Sequence, residues 1–312
     1  MTNTKPDSPK RLQHLLTLAD LSRETLGALL DRAEQFRVPA GAAARQYNLL
    51  TGKTVANLFF EPSTRTRASF ELAAQRLGAE VITLDMAFSS TVKGESPLDT
   101  LYTLQAMNVD LFAVRHKEPG VPETLAQHAS PHVHVVNAGE AHVSHPTQGL
   151  LDALTIRQHK KKFDKLTVTI VGDIRHSRVA RSAVEALSVL GTTDIRFAGP
   201  AELLPDDLAG ESFTNLDKAL SGADVIMMLR IQKERMQAGL IPNEREYFRR
   251  YGLDTTRLKL AKPDAIVMHP GPMNRGVEVA SNVADGPQSV IRQQVNNGIA
   301  VRMAVMATLM GK

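Results

Sequence analysis

The feature that most constrains this chain is an alternation of short β-like runs, several of them continuously apolar, with helical patterns. The strand candidates fall at residues 54–60, 80–84, 109–114 and 132–136, and a second series follows at 167–171, 194–198, 224–229 and 265–268. A strand without polar alternation is buried on both faces, which is the situation of a parallel sheet covered by helices. Alternating β and α signals point the same way, to α/β folds with crossover connections. The expected fold class is therefore α/β, with two doubly wound parallel-sheet domains. A chain of 312 residues is long enough for two such cores. Residues 1–150 are expected to form the first domain, joined by a returning C-terminal segment, 291–312, and 151–290 the second. The helical stretch 145–159 sits at the boundary, just before the basic segment 160–165. A last helix from about Asn297 to Met310 is expected to fold back on the first domain. A first helix is expected from Ser22, as N-cap, to Phe36, because Leu26, Leu29, Leu30 and Ala33 share one helical face.

Composition removes several function classes. Cysteine is absent, which excludes disulfides, thiolate nucleophiles and cysteine-based zinc sites. The net charge of +4 is small and no long basic run occurs, so nucleic acid is not an expected partner, whereas small anions are. Residues 1–12 are polar, with Pro6 and Pro9, and do not read as a signal peptide. No apolar run is long enough to span a bilayer, so the expectation is a cytoplasmic protein without a membrane partner. His128, His132, His134, His142 and His145 cluster loosely, with His132 and His134 alternating along an expected strand. No carboxylate stands at a recognised ligand spacing among them, so neither a metal nor a cofactor is expected.

The loop after the first strand carries the strongest chemical signal. It reads Phe59-Phe60-Glu61-Pro62-Ser63-Thr64-Arg65-Thr66-Arg67, and it enters a helix whose buried face is Phe70, Ala73, Ala74 and Leu77. With Ser63 as N-cap, Thr64, Arg65 and Thr66 fill a first turn whose N–H groups have no partner within the helix. Those groups and the helix dipole favour an anion. The hydroxyls of Ser63, Thr64 and Thr66 add donors, and Arg65 adds a charged fork. Read alone, the stretch is also a well-capped helix.

A second helix start lies at Ser144-His145-Pro146-Thr147-Gln148. Proline favours the first helical position and keeps the residue before it out of the helical region, which makes His145 the N-cap. His145 and Gln148 can then both reach a ligand there, and the dipole disfavours a second proton on the imidazole. Further candidates follow strands. Arg115 ends one apolar run. The segment 171–178, Val-Gly-Asp-Ile-Arg-His-Ser-Arg, takes the place of a dinucleotide loop but lacks Gly-x-Gly-x-x-Gly, so Arg178 is read instead as a fork for a carboxylate. Arg230 and Gln232 share a face if extended.

The strings Ser-Thr-Arg-Thr-Arg and His-Pro-Thr-Gln closely resemble the signatures of the aspartate and ornithine carbamoyltransferases. The resemblance runs nearly the whole length of the chain. The threonine form, and the absence of cysteine in His269-Pro270-Gly271-Pro272, resemble the aspartate enzymes more than the ornithine ones. The resemblance implies transfer of a carbamoyl group from carbamoyl phosphate to L-aspartate, an early step of pyrimidine synthesis. It implies that Ser63, Thr64, Arg65, Thr66, Arg115, His145, Gln148, Gly271 and Pro272 hold carbamoyl phosphate. His145, Arg65, Thr66, Arg115 and Lys93 would carry the chemistry, and Lys93, Arg178, Arg230 and Gln232 would hold aspartate. Residues 89–95 resemble a loop that enters a neighbouring subunit's site through Ser89, or Ser90 in its place, and Lys93. A homotrimer with shared sites is implied, with regulatory or dihydroorotase-like chains as further partners. The charged stretch 233–250 would close over aspartate.

Overall fold

A computed structural model describes residues 12–39, 41–85, 94–231 and 243–312. Ser89, Lys93 and Gln232 lie outside these residues, as does most of the amino-terminal segment read as polar. Two parallel-sheet α/β domains make up the described chain. In the first, β1 (Thr54–Phe59), β2 (Glu80–Asp85), β3 (Leu111–His116) and β4 (His134–Glu140) lie in the order β2-β1-β3-β4. In the second, β5 (Thr167–Val171), β6 (Asp194–Ala198), β7 (Glu211–Phe213), β8 (Val225–Met228) and β9 (Ile266–Met268) lie in the order β7-β6-β5-β8-β9. Every pairing within the two sheets is parallel.

The first helix forms where the pattern placed it. The helix α1 (Arg23–Phe36) is capped by Ser22, whose side chain accepts from the Thr25 N–H, and it buries Leu26, Leu29, Leu30 and Ala33. The crossovers include α2 (Thr64–Arg76), α3 (Pro97–Ala106), α4 (Val121–His128), α6 (Arg178–Leu190) and α7 (Leu216–Leu220), and α5 (Pro146–Lys160) joins the first sheet to the second. Beyond the undescribed stretch come α8 (Glu244–Tyr251), α9 (Thr255–Leu258), α10 (Ser281–Ala284) and α11 (Ile291–Leu309). Thus the end of the charged stretch expected to close over a substrate is a helix, capped by Asn243.

Three expectations need correction. The third and fourth strands begin two residues later than their apolar runs and extend to His116 and Glu140, so His132 is not in a strand. The strand β7, which the eight expected runs did not include, has only three residues at a sheet edge and no apolar run to announce it. The last helix starts at Ile291, six residues before Asn297, because Ile291 and Gln294 are already buried there. That helix packs against α1, α2 and α5 and contributes Val301, Met303, Ala304, Val305 and Met306 to the main core.

Each sheet changes winding direction once. The chain leaves β1 for β2 on one side and returns to β3 on the other; it leaves β5 for β6 and returns to β8. The crevice outside the carboxyl ends of strands at such switch points is where open α/β sheets bind ligands. Here the two crevices open into one space.

Candidate active site

A cavity of about 530 Å³ is lined from both domains. From the first come the loop after β1 with the start of α2, Arg115 at the end of β3, and the start of α5. The second supplies Asp173 and Arg178 after β5, Arg230 after β8, and residues 269–272 after β9. Ser63, Thr64, Arg65, Thr66, Arg115, His145, Gln148, Arg178, Arg230, Gly271 and Pro272 all line it, so every sequence candidate within the described residues meets here.

Ser63 occupies the N-cap of α2 in extended conformation, but its side chain makes no capping bond. The first-turn N–H groups and the hydroxyl are thereby left for a ligand. Thr66 is buried, while Thr64 and Arg65 are exposed to the cavity. Burial, with Arg230 nearby, lowers the pKa of Arg65.

Arg115 and Arg178 converge on one carboxylate oxygen. Glu61 Oε1 lies 2.6 Å from Arg115 Nη2 and 2.5 Å from Arg178 Nη2. Arg115 also donates to the Ala138 carbonyl and Arg178 to that of Ala141, so both forks are seated on the end of β4. This seating demands glycine at position 139. Its φ is +124°, and a Cβ there would stand 2.7 Å from Arg115 Nη1. Burial and then the Arg178 charge push Arg115 down to about 10, against the pull of Glu61. It remains a cation at neutral pH.

The start of α5 is pinned from below. The His145 N–H donates to Ser182 Oγ on α6 at 2.8 Å, and Ser144 Oγ is 3.3 Å from the same hydroxyl. The close approach is possible because Gly149 has no side chain: a Cβ would lie 2.4 Å from the Ser182 carbonyl oxygen. His145 is 4% exposed. Burial, then the charges of Arg115, Arg302 and Arg178, hold its pKa well below 6.5. The imidazole is neutral and can donate without being a strong acid.

The 269–272 turn is held by its own histidine. His269 Nδ1 accepts from the Gly271 N–H at 2.8 Å, which places the ring proton on Nε2, 3.1 Å from Glu278 Oε1. Glu278 also accepts from the Asn274 N–H. The Gly271–Pro272 peptide bond is cis.

Several participants carried no functional reading in the sequence. Glu61 sat inside the quoted loop without a role. Arg302 on α11, 3% exposed, lines the cavity, donates to the Gly298 carbonyl and lies 5.0 Å over the Phe70 ring. Burial and the Arg115 charge lower it to about 9, with Asp152 opposing. Asp152, on α5, is raised to about 7 by burial, although Gln294 and Gln148 bond to it. A lone charge within an apolar helix, as in Leu150-Leu151-Asp152-Ala153-Leu154 or Ala300-Val301-Arg302-Met303, was the available signal. No described group of His, Asp and Glu side chains is arranged to hold a metal ion, and no described helix is long and apolar enough to cross a membrane.

Comparison with known proteins agrees with this geometry. The family model "Aspartate/ornithine carbamoyltransferase, carbamoyl-P binding domain" matches residues 13–158. A second, "Aspartate/ornithine carbamoyltransferase, Asp/Orn binding domain", matches residues 164–309. Among solved structures, aspartate transcarbamoylase from Trypanosoma cruzi with carbamoyl aspartate and phosphate is similar with a TM-score of 0.85 and 29% identity, over 99% of this chain and 99% of that one. Ornithine carbamoyltransferase from Pyrococcus furiosus is similar with a TM-score of 0.85 and 32% identity, over 96% of this chain and 97% of that one. With both halves of its length matched in order, this chain belongs to the aspartate/ornithine carbamoyltransferase family.

Proposed function

We propose that this chain transfers the carbamoyl group of carbamoyl phosphate to the amine of L-aspartate, giving N-carbamoyl-L-aspartate and phosphate at an early step of pyrimidine synthesis. The observation that carries the choice of acceptor is the charge of the cavity. Five guanidiniums line it, those of Arg65, Arg115, Arg178, Arg230 and Arg302. Among the described lining residues Asp173 is the one carboxylate, and it is engaged by His176 at 2.8 Å. A dicarboxylate suits such a wall, whereas the ammonium of ornithine would meet cations.

In this reading the start of α2, with Ser63, Thr64, Arg65 and Thr66, takes the phosphate. Arg178 and Arg230 take the two carboxylates of aspartate, assisted by Gln232 and Lys93. The aspartate amine, uncharged, attacks the carbamoyl carbon and forms the new C–N bond. The carbonyl oxygen becomes an oxyanion, met by His145, Thr66 and Arg115. Collapse breaks the C–O bond to phosphate, which leaves with its electron pair and takes the amine proton. The carbonyls of Gly271 and Pro272 accept from the carbamoyl amide and the incoming amine, where a cation would not serve. No enzyme nucleophile is needed. Residues 1–150 and 291–312 form the carbamoyl-phosphate unit of this scheme and 151–290 the aspartate unit. A cytoplasmic homotrimer, with Ser89 and Lys93 of one copy entering the next copy's site, completes the proposal.

A solved relative from Trypanosoma cruzi binds N-(phosphonacetyl)-L-aspartic acid, a compound with both a phosphonate and a dicarboxylate. Calorimetric titration of this chain should show that compound binding at least about a hundredfold more tightly than inorganic phosphate. A counterpart carrying ornithine in place of aspartate should show no such gain. The reverse preference would overturn the aspartate reading and leave the family chemistry standing.

A further inference from the structure

Asp152 lies behind the cavity wall, 1% exposed, and is not among the residues lining it. Two side-chain amides converge on one of its oxygens. Gln148 Nε2 donates to Asp152 Oδ1 at 3.0 Å, and Gln294 Nε2 donates to the same oxygen at 2.8 Å. Gln294 Oε1 in turn accepts from the His269 N–H at 2.9 Å. A continuous chain of bonds therefore runs from Gln148 on α5, through Asp152 and Gln294 on α11, to the turn that carries Gly271. Both ends of this chain line the cavity.

A primary amide has a donor end and an acceptor end of nearly equal shape, and its neighbours decide which end faces where. The carboxylate oxygen is an acceptor, so it draws the Nε2 end of Gln148 inward. What remains on the cavity side is Gln148 Oε1, an acceptor for an N–H. We infer that Asp152 is a positioning residue: it fixes the polarity of Gln148, so that the cavity offers an oxygen to the amide N–H of the carbamoyl group and discriminates against acyl phosphates without one. The inference rests on the proposed function, and specifically on carbamoyl phosphate as the ligand.

Only one oxygen of Asp152 does this. Oδ2 is buried and has no hydrogen-bond partner. The bonds thus require an acceptor at Oδ1, and neither the second oxygen nor a negative charge is needed for them. An asparagine can supply that acceptor and place its NH₂ at the vacant side. A leucine of similar shape cannot. Without the acceptor, Gln148 is free to rotate and present Nε2 to the ligand, donor against donor.

The test compares carbamoyl phosphate with acetyl phosphate, which replaces the NH₂ by a methyl group. Binding constants for both are measured by calorimetry on the wild-type chain, Asp152→Leu and Asp152→Asn, with folding verified by thermal melting. The wild-type preference for carbamoyl phosphate should shrink by about tenfold in Asp152→Leu and hold within about twofold in Asp152→Asn. If Asp152→Leu does not fold, Asp152→Ala removes the acceptor without adding bulk and is read the same way. An unchanged preference in the folded leucine or alanine variant overturns the inference. So does an equal weakening of both ligands, which a merely structural role would give, or a loss in Asp152→Asn as large as in Asp152→Leu. A wild-type chain that binds neither acyl phosphate would instead overturn the reading of the cavity on which the inference depends.

Discussion

Between Arg115, Arg178 and Arg302, a second proton on His145 would stand among three positive charges in a buried site. The folded-state pKa is depressed, so the neutral ring contributes stability above the ordinary histidine pKa, and that contribution is lost as pH falls through the folded value. A ¹³C or ¹⁵N NMR titration of the ligand-free chain should accordingly show His145 neutral at pH 6.5, where an ordinary histidine is half protonated; a midpoint at 6.5 would contradict the geometry. As a donor to a developing oxyanion, His145 should matter most in the transition state. His145→Ala is expected to lower kcat by about a hundredfold or more with little change in substrate affinity, and an equal loss in both would sink the role. Arg230→Ala should raise KM for aspartate and spare carbamoyl phosphate binding, and steady-state kinetics with each substrate varied would show it. The cations and hydroxyls of the site were legible in the sequence because they stand at helix starts and strand ends, where local rules apply. Glu61 was not legible: its partners, Arg115 at the end of β3 and Arg178 at the start of α6, are distant in sequence, and no local spacing announces a carboxylate shared by two guanidiniums.

Among the elements, the start of α5 is the most tightly built. Gly149 lets α5 approach the Ser182 carbonyl, and Ser182 Oγ in turn holds the His145 N–H. Gly149→Ala puts a methyl group 2.4 Å from backbone oxygen and must part the two helices. The expected cost is about 1–3 kcal/mol of stability, accompanied by a fall in kcat as His145 shifts. Unchanged melting and turnover would show that this contact does not position the histidine. Eight of the nine described strands were legible because each carries a β-like run, several of them, such as β1 and β8, continuously apolar and buried. The edge strand β7, with pattern Glu-Ser-Phe, has one side of its ladder unpaired and no such run. The true start of α11 was hidden for a related reason. Gln294 and Asn297 are buried polar residues, and their burial is repaid by bonds to Asp152, His269 and Thr155 that only the assembled fold provides.

At the scale of the molecule, one cavity is made by two sheets whose switch points face each other, and the C-terminal helix links its walls through Gln294, which bonds both Asp152 and the His269 N–H. Asp152, raised from 3.8 to about 7, makes stability depend on pH. Its folded pKa exceeds the unfolded one, so its contribution is fully present below about pH 3.8 and is lost as pH rises through about 7. Asp152→Asn escapes that loss. Melting curves should therefore show the variant gaining on the wild type between pH 5 and pH 8, whereas parallel curves would mean that the carboxyl does not titrate there. The two-domain α/β plan was legible from the order of runs alone; the bond chain was not, because its central link joins Asp152 to Gln294, 142 residues away. The central claim is carbamoyl transfer to aspartate, and the most direct test is a colorimetric carbamoyl-product assay on the purified chain with carbamoyl phosphate and either aspartate or ornithine. Product with aspartate alone is the predicted result. Product with ornithine alone would contradict the assignment of Arg178 and Arg230 to a dicarboxylate.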